Sequence, residues 1–216
     1  MAEYLMGIDA GTGSVRVALY DFRGQNRAYH IEEYATTYPK NGWAEQDDKG
    51  WWAALTKAIP ECIKKAGIGP DNIAAITCDA TTNTLVYLGE DDESVRPPIL
   101  WMDVRATEEA SFIDEIRDDY EATRFYKPSF RADTMVPKCM WVKKHEPENW
   151  AKTKTIMEFE DWLNWKLTGK KSVCMSIAAF RWNYDDKNGG YPIDFYNAVG
   201  LDDVVDKFPK DIYRVG

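Results

Sequence analysis

Near the start of the chain Val15, Val17 and Leu19 alternate with Arg16, Ala18 and Tyr20, and Met6-Gly7-Ile8-Asp9 precedes them across Ala10-Gly11-Thr12-Gly13-Ser14. A period of two belongs to a half-buried strand, so the pattern predicts strand, tight turn, strand. Asp21-Phe22-Arg23-Gly24-Gln25 reads as a second turn, and residues 26–37 as a third strand holding Tyr29, Ile31 and Tyr34. Three strands joined this closely predict an antiparallel meander. The period then changes. Trp52, Leu55, Ile59 and Ile63 recur every three or four residues, which is a helical stripe. Asp47 and Asp48 suit its N-terminus, Pro60 is expected to bend or shorten it, and Gly67-Ile68-Gly69-Pro70-Asp71 ends it. Helix capping alone accounts for those two acids.

Ile73 to Cys78 reads as a short buried-type strand without alternation, running into the small polar cluster Asp79-Ala80-Thr81-Thr82-Asn83-Thr84 and a further strand, Leu85 to Leu88. A meander followed by strand, helix, strand predicts an α/β fold with a mixed sheet and helices on both faces. Further helices are expected over about 104–118, from Pro137-Lys138 to His145, around Phe159, Trp162 and Leu163 up to Gly169, and near Ile193–Val199. A strand is expected around Lys171–Met175, followed by a Tyr/Asp/Gly-rich segment. There is no internal repeat, low-complexity tract or obvious linker.

Composition narrows the class. The 216 residues carry a net charge of −9, which argues against nucleic acid as a partner. No apolar run approaches the ~20 residues of a membrane span, and the N-terminus lacks the order of a secretion signal. Cysteines 62, 78, 139 and 174 form no C-x-x-C pair, and with two histidines a zinc site is not expected. They read as scattered core thiols of a protein in a reducing cytoplasm. Nine tryptophans and twelve tyrosines suit either thick cores or stacking faces for sugars.

The candidate chemistry sits at the first turn. Asp9 ends the first strand. Gly11 and Gly13 let backbone approach a ligand, Thr12 and Ser14 offer hydroxyls, and Arg16 offers a fork of donors. Consecutive N–H groups in such a turn suit phosphate oxygens, and a carboxylate beside phosphate makes sense with Mg2+ between them. Arg16 stands where a dinucleotide fingerprint has its third glycine, and no Gly-Lys-Ser/Thr of a P-loop is present. An ordinary Gly-rich hairpin turn is the bland alternative. Farther along, Trp101 could stack on a sugar face, and Asp103 could accept from its hydroxyls or merely cap a helix. Lys138, a cation at a helix N-terminus against the dipole, needs a reason such as a ligand.

Asp9-Ala10-Gly11-Thr12-Gly13-Ser14-Val15-Arg16 resembles the phosphate loop of the FGGY carbohydrate kinases, members of the actin-like, ribonuclease-H-like ATPase superfamily. The resemblance extends over nearly the whole chain, in order, through Trp43-Ala44-Glu45-Gln46-Asp47, Cys78-Asp79-Ala80-Thr81, Leu100-Trp101-Met102-Asp103-Val104-Arg105-Ala106, Pro137-Lys138-Cys139-Met140-Trp141 and Asp161-Trp162-Leu163-Asn164-Trp165-Lys166-Leu167-Thr168-Gly169. Asp79-Ala80-Thr81, Ser172-Val173-Cys174 and Trp182-Asn183-Tyr184 look most like the ribulokinase-type branch.

The resemblance implies transfer of the γ-phosphoryl of ATP to a hydroxyl of a pentulose or related polyol. It implies that Asp9 holds Mg2+, that Gly11, Thr12, Gly13, Ser14 and Arg16 line the phosphates, and that Asp79, Ala80, Thr81, Trp101, Asp103 and Lys138 face the sugar. It also implies that residues 1–216 form the N-terminal, sugar-binding domain, partnered by a C-terminal ATP-binding domain that this chain lacks. Glycerol- and xylulokinase-like members place a catalytic Asp where this chain has Cys174, a poor substitute for a carboxylate. Ribulokinase-like members use an Asp from the second domain, which puts the base beyond Gly216. Xylulose, ribitol and erythritol-type acceptors, a catalytically inactive sugar-binding homologue and a chaperone-type ATPase remain alternatives. The oligomeric state is open, a homodimer included.

Overall fold

The computed structural model describes residues 3–123 and 129–214, which fall into two compact units. The first unit comprises residues 1–37 and 46–81. Its strands β1 (Tyr4–Ala10), β2 (Ser14–Asp21) and β3 (Asn26–Glu33) form the meander that the alternation predicts. The expected third strand stops early. Only Thr36–Thr37 (β4) is again extended, because Tyr34 N–H leaves the ladder to bond Gly13 O at 3.2 Å.

Glu45–Gln46 (β5) precedes the helix α1 (Asp48–Ala66), capped by Asp47, whose carboxylate accepts from Lys49 N, and closed by Gly67 in the left-handed region. Pro60 does not shorten α1. It lies on the exposed side, where the missing N–H and the ring face solvent. α1 returns the chain to β6 (Ile73–Ala80), parallel to β1 at the sheet edge, giving the order β3-β2-β1-β6.

Met6, Ile8, Ala10, Val15, Val17 and Leu19 are buried on one face of this sheet, and Trp51, Leu55, Ala58 and Cys62 are buried on α1, which packs on β2 and β3. Each buried Met, Ile, Val or Leu among them stabilises by roughly 1.5–3 kcal/mol. The opposite face exposes Leu5, Tyr20, Tyr29 and Ile31. β6 is also longer and more exposed than a buried-type strand, since an edge strand has a neighbour on one side only.

The second unit comprises residues 38–45 and 82–216. Here β7 (Leu85–Leu88) pairs antiparallel with β8 (Thr155–Glu158), so it does not extend the first sheet. Around this ladder run α2 (Thr107–Ile116), α3 (Met135–His145), α4 (Pro147–Lys152) and α5 (Phe159–Thr168, closed by Gly169). α2 is shorter than expected, and Asp103 does not cap it. β9 (Ser172–Cys174) pairs parallel with β10 (Asp211–Tyr213), and between them lie α6 (Met175–Arg181) and α7 (Ile193–Ala198). The helix α6 falls in a stretch that carries no clear period. Trp182, stacked on Phe208 at 4.3 Å, and Phe195, Tyr196 and Trp150 show aromatics building core. Cys62 and Cys139 are buried free thiols, whereas Cys78 and Cys174 are half-buried. Among the described residues no helix is long and apolar enough to cross a membrane.

Candidate active site

In the first unit the strand registers set one row of charges. Asp9 of β1 stands opposite Arg16 of β2 and opposite Asp79 of β6. Because alternate residues share a face, all three belong to the face away from α1. Arg16 Nη1 donates to Asp9 Oδ2 at 2.9 Å, with the two side chains 52% and 54% exposed. A pair so exposed adds little stability, so both groups can be recruited by a ligand at small cost.

The turn between β1 and β2 has every carbonyl from Ala10 to Ser14 engaged. Ala10 O accepts from Thr81 N at 3.3 Å, Gly13 O from Tyr34 N, and Ser14 O from Gly11 N at 3.0 Å. Two side chains complete the set. The Tyr34 hydroxyl donates to Gly11 O at 2.5 Å and reaches Ser14 O at 3.1 Å. Gln46 Nε2 donates to Thr12 O at 2.6 Å and to Thr36 Oγ1 at 2.7 Å, while its Oε1 accepts from Trp51 Nε1 at 2.8 Å. Burial, and then the nearby Asp9 charge, push the Tyr34 hydroxyl well above the ordinary range, which keeps it a donor. A Cβ on Gly11 would stand 3.1 Å from Arg16 Nη1, so that position is tight. A Cβ on Gly13 would meet nothing within 4 Å.

In the second unit Lys138 is fully buried near the start of α3. Its ammonium donates to Asn83 O at 2.5 Å and Leu100 O at 2.8 Å, which supplies the reason that its place against the helix dipole demands. Burial lowers its pKa, against the opposing pull of Glu158. Asn83 adopts φ 60°, and its amide donates to Asp133 Oδ2. Thr84 Oγ1 accepts from Trp101 N at 3.2 Å, and the Trp101 side chain is 39% exposed.

Asp103 is fully buried. Its carboxylate accepts from Ala44 N at 2.6 Å and from Arg105 N, Nε and Nη2 at 2.7–2.9 Å. Arg105 also reaches Glu45 at 2.8 Å and lies 3.9 Å over the Trp43 ring. Glu45 further pairs with Arg96, which binds Glu146. So the segments 43–45 and 101–105 meet as a buried ion cluster, and Asp103 is neither a helix cap nor open to solvent.

Glu158 and Asp161 are buried at the start of α5, and burial raises both carboxyls, Asp161 to about 8. Asp161 Oδ1 accepts from Cys174 N at 2.9 Å, so the backbone of Cys174 is held and its side chain is half-buried at the start of α6.

A family profile described as the FGGY family of carbohydrate kinases, N-terminal domain, matches residues 4–212. The chain belongs to the FGGY carbohydrate kinases. This FGGY chain is 27% identical over 218 residues to the human FGGY carbohydrate kinase domain-containing protein, covering 96% of itself and 39% of that protein. It is 31% identical over 199 residues to the xylulose kinase of Lactococcus lactis, covering 92% and 40%. Its fold matches the gluconate kinase of Lactobacillus acidophilus with a TM-score of 0.83 at 24% identity, over 99% of this chain and 42% of that one. The FGGY chain thus spans about two fifths of the length of the relatives it matches, and its fold is the actin-like α/β one.

Sequence reasoning located the turn of this FGGY domain but missed Tyr34 and Gln46, which hold it. Gln46 lies in a segment already singled out, Trp43 to Asp47, and was overshadowed there by the capping acids. Tyr34 carried no signal beyond an apolar strand position.

Proposed function

We propose that this chain is the N-terminal domain of an ATP-dependent sugar kinase that phosphorylates a hydroxyl of a pentulose, with D-ribulose-type acceptors first. The observation that carries the reading is the half-exposed Asp9 beside a glycine turn whose carbonyls are all turned to protein donors. An anion in front of such a turn meets N–H groups and Arg16, and no carbonyl lone pair. The residues fit the implied Mg2+ as well. Among the described residues no group of three His, Cys, Asp or Glu could hold a metal. Magnesium asks for less: one or two carboxylates, with waters and phosphate oxygens completing the shell, so Asp9 suffices. When bound, the ion would neutralise charge on the transferring phosphoryl group.

The protein's own contribution is positioning. Gly11, Thr12, Gly13 and Ser14 line the phosphates, Thr12 and Gly13 through backbone N–H groups, Thr12 and Ser14 through hydroxyls, and Gly11, whose N–H is bonded to Ser14 O, through close approach. Arg16 exchanges its bond to Asp9 for one to a phosphate oxygen. For the sugar, the first unit offers the Asp79 and Thr81 side chains and the Ala80 backbone at the end of β6, and the second unit offers the half-open indole face of Trp101. Lys138 and Asp103 act from behind, by fixing backbone, since both are fully buried. The base that orients the attacking hydroxyl is assigned beyond Gly216, because Cys174 brings a thiol to the position of other members' Asp.

A xylulose kinase is the second reading, favoured by the 31% identity to the Lactococcus lactis enzyme. A coupled assay of the full-length protein with a panel of pentuloses and polyols decides between the two. Asp9→Asn is expected to lower kcat/KM on the preferred sugar by roughly 100-fold. Residues 1–216 alone are expected to show no turnover. Absence of ATP-dependent phosphorylation across the panel, or an Asp9→Asn enzyme as fast as its parent, would refute the proposal.

A further inference from the structure

We infer that Tyr34 and Gln46 are positioning residues for nucleotide phosphates, acting through the turn Gly11–Ser14 and touching no ligand themselves. The inference rests on the phosphate role proposed for that turn and adds what gives the turn its shape. A glycine-containing turn in solution samples conformations in which its carbonyls point either way. For phosphate only one sense works, because a single carbonyl oxygen turned toward an anion opposes the attraction of the neighbouring N–H groups.

Of the five carbonyls from Ala10 to Ser14, those of Ala10, Gly13 and Ser14 accept backbone N–H groups, from Thr81, Tyr34 and Gly11. Those of Gly11 and Thr12, at the apex, have no backbone donor among these bonds. The Tyr34 hydroxyl and Gln46 Nε2 supply it, at 2.5 and 2.6 Å. Neither side chain is loose. Gln46 is 2% exposed, and its Oε1 is occupied by Trp51 Nε1 of α1, which fixes which end of the amide faces Thr12. Tyr34 is anchored by its own N–H on Gly13 O. A rigid helix and a strand end therefore brace the turn from behind, and the surface in front is left to donors.

The test uses the full-length protein, with Mg–ADP as the probe. Gln46→Glu keeps size and the acceptor for Trp51 Nε1 but removes the donor to Thr12 O. Tyr34→Phe removes only the hydroxyl. Calorimetric binding of Mg–ADP, KM for ATP, KM for the sugar and the unfolding midpoint are measured for each. The expected result is Mg–ADP affinity weakened about tenfold in each variant, the loss of roughly one net hydrogen bond, with the KM for ATP rising in step. The KM for sugar should stay close to the parent's in both variants, as should the unfolding midpoint of Tyr34→Phe. The midpoint of Gln46→Glu falls on its own account, because a carboxylate is buried there. Variants that bind Mg–ADP within twofold of the parent overturn the inference while leaving the sugar-kinase reading intact. In Tyr34→Phe a loss shared equally by nucleotide and sugar, together with a lowered midpoint, also overturns it, since that is the mark of general loosening. A parent protein that binds no Mg–ADP overturns both.

Discussion

Arg105 illustrates how much of the residue-scale chemistry here is structural. Its guanidinium is shared between Asp103 and Glu45 and covered by Trp43. Removing it leaves the buried Asp103 carboxylate with backbone N–H donors but no counter-ion, while Glu45 keeps Arg96, and breaking a buried pair costs more than the pair contributes. Arg105→Leu is expected to destabilise by about 3–5 kcal/mol in urea unfolding, with the KM for sugar unchanged in molecules that fold. A second residue-scale expectation concerns pH. Burial pushes the Asp161 carboxyl up to about 8, from 3.8 when unfolded. A group whose pKa is raised by folding contributes stability that is complete below the unfolded value and lost as pH rises through the folded one. Stability should therefore fall between about pH 4 and pH 8 on this account. Asp161→Asn, which keeps the acceptor for Cys174 N, should flatten that slope when unfolding free energy is measured across the window. An unchanged slope would mean that Asp161 is ionised in the folded protein.

At the scale of elements, α1 carries a proline in its interior and still runs from Asp48 to Ala66. The packing of Trp51, Leu55, Ala58 and Cys62 outweighs a local penalty near 3 kcal/mol. Pro60 is on the exposed side, so Pro60→Ala should raise stability by about 1–2 kcal/mol, part of the relief being offset by a freer unfolded chain. Thermal unfolding checks the sign. This helix also marks what was legible in the sequence. Its stripe, its Asp47 cap and its Gly67 stop are all local signals, and so is the alternation of β1 and β2. By contrast, Pro60 was overweighted because a local penalty was set against no knowledge of packing. The short helix α6 lacked any period to read. The site divided in the same way. Asp9 and the turn are contiguous and stood out, whereas Tyr34 lies 23 residues from Gly11 and Gln46 lies 34 from Thr12. Lys138 reads in the sequence as a ligand contact, whereas its ammonium donates to carbonyls 55 and 38 residues away, which no side-chain pattern announces.

For the molecule as a whole, the net charge of −9 coexists with a sheet face on which Tyr29 is 63% and Ile31 46% exposed. Apolar side chains grouped on one open face favour association, and charge opposes it. Ile31→Lys should increase the soluble fraction of residues 1–216 in light scattering while moving stability by no more than about 0.5 kcal/mol. The face includes the row Arg16, Asp9 and Asp79, so these open apolar side chains lie beside the candidate chemistry. Protein engineers would meet a related separation at Gly13. The vacant space about its Cα means that heat-challenge screens would pass an alanine there as silent, although, on the phosphate role proposed for the turn, the added methyl would crowd the ligand. On that proposed role robustness and turnover are decoupled at this position, and selecting survivors by melting temperature would discard catalysis unnoticed.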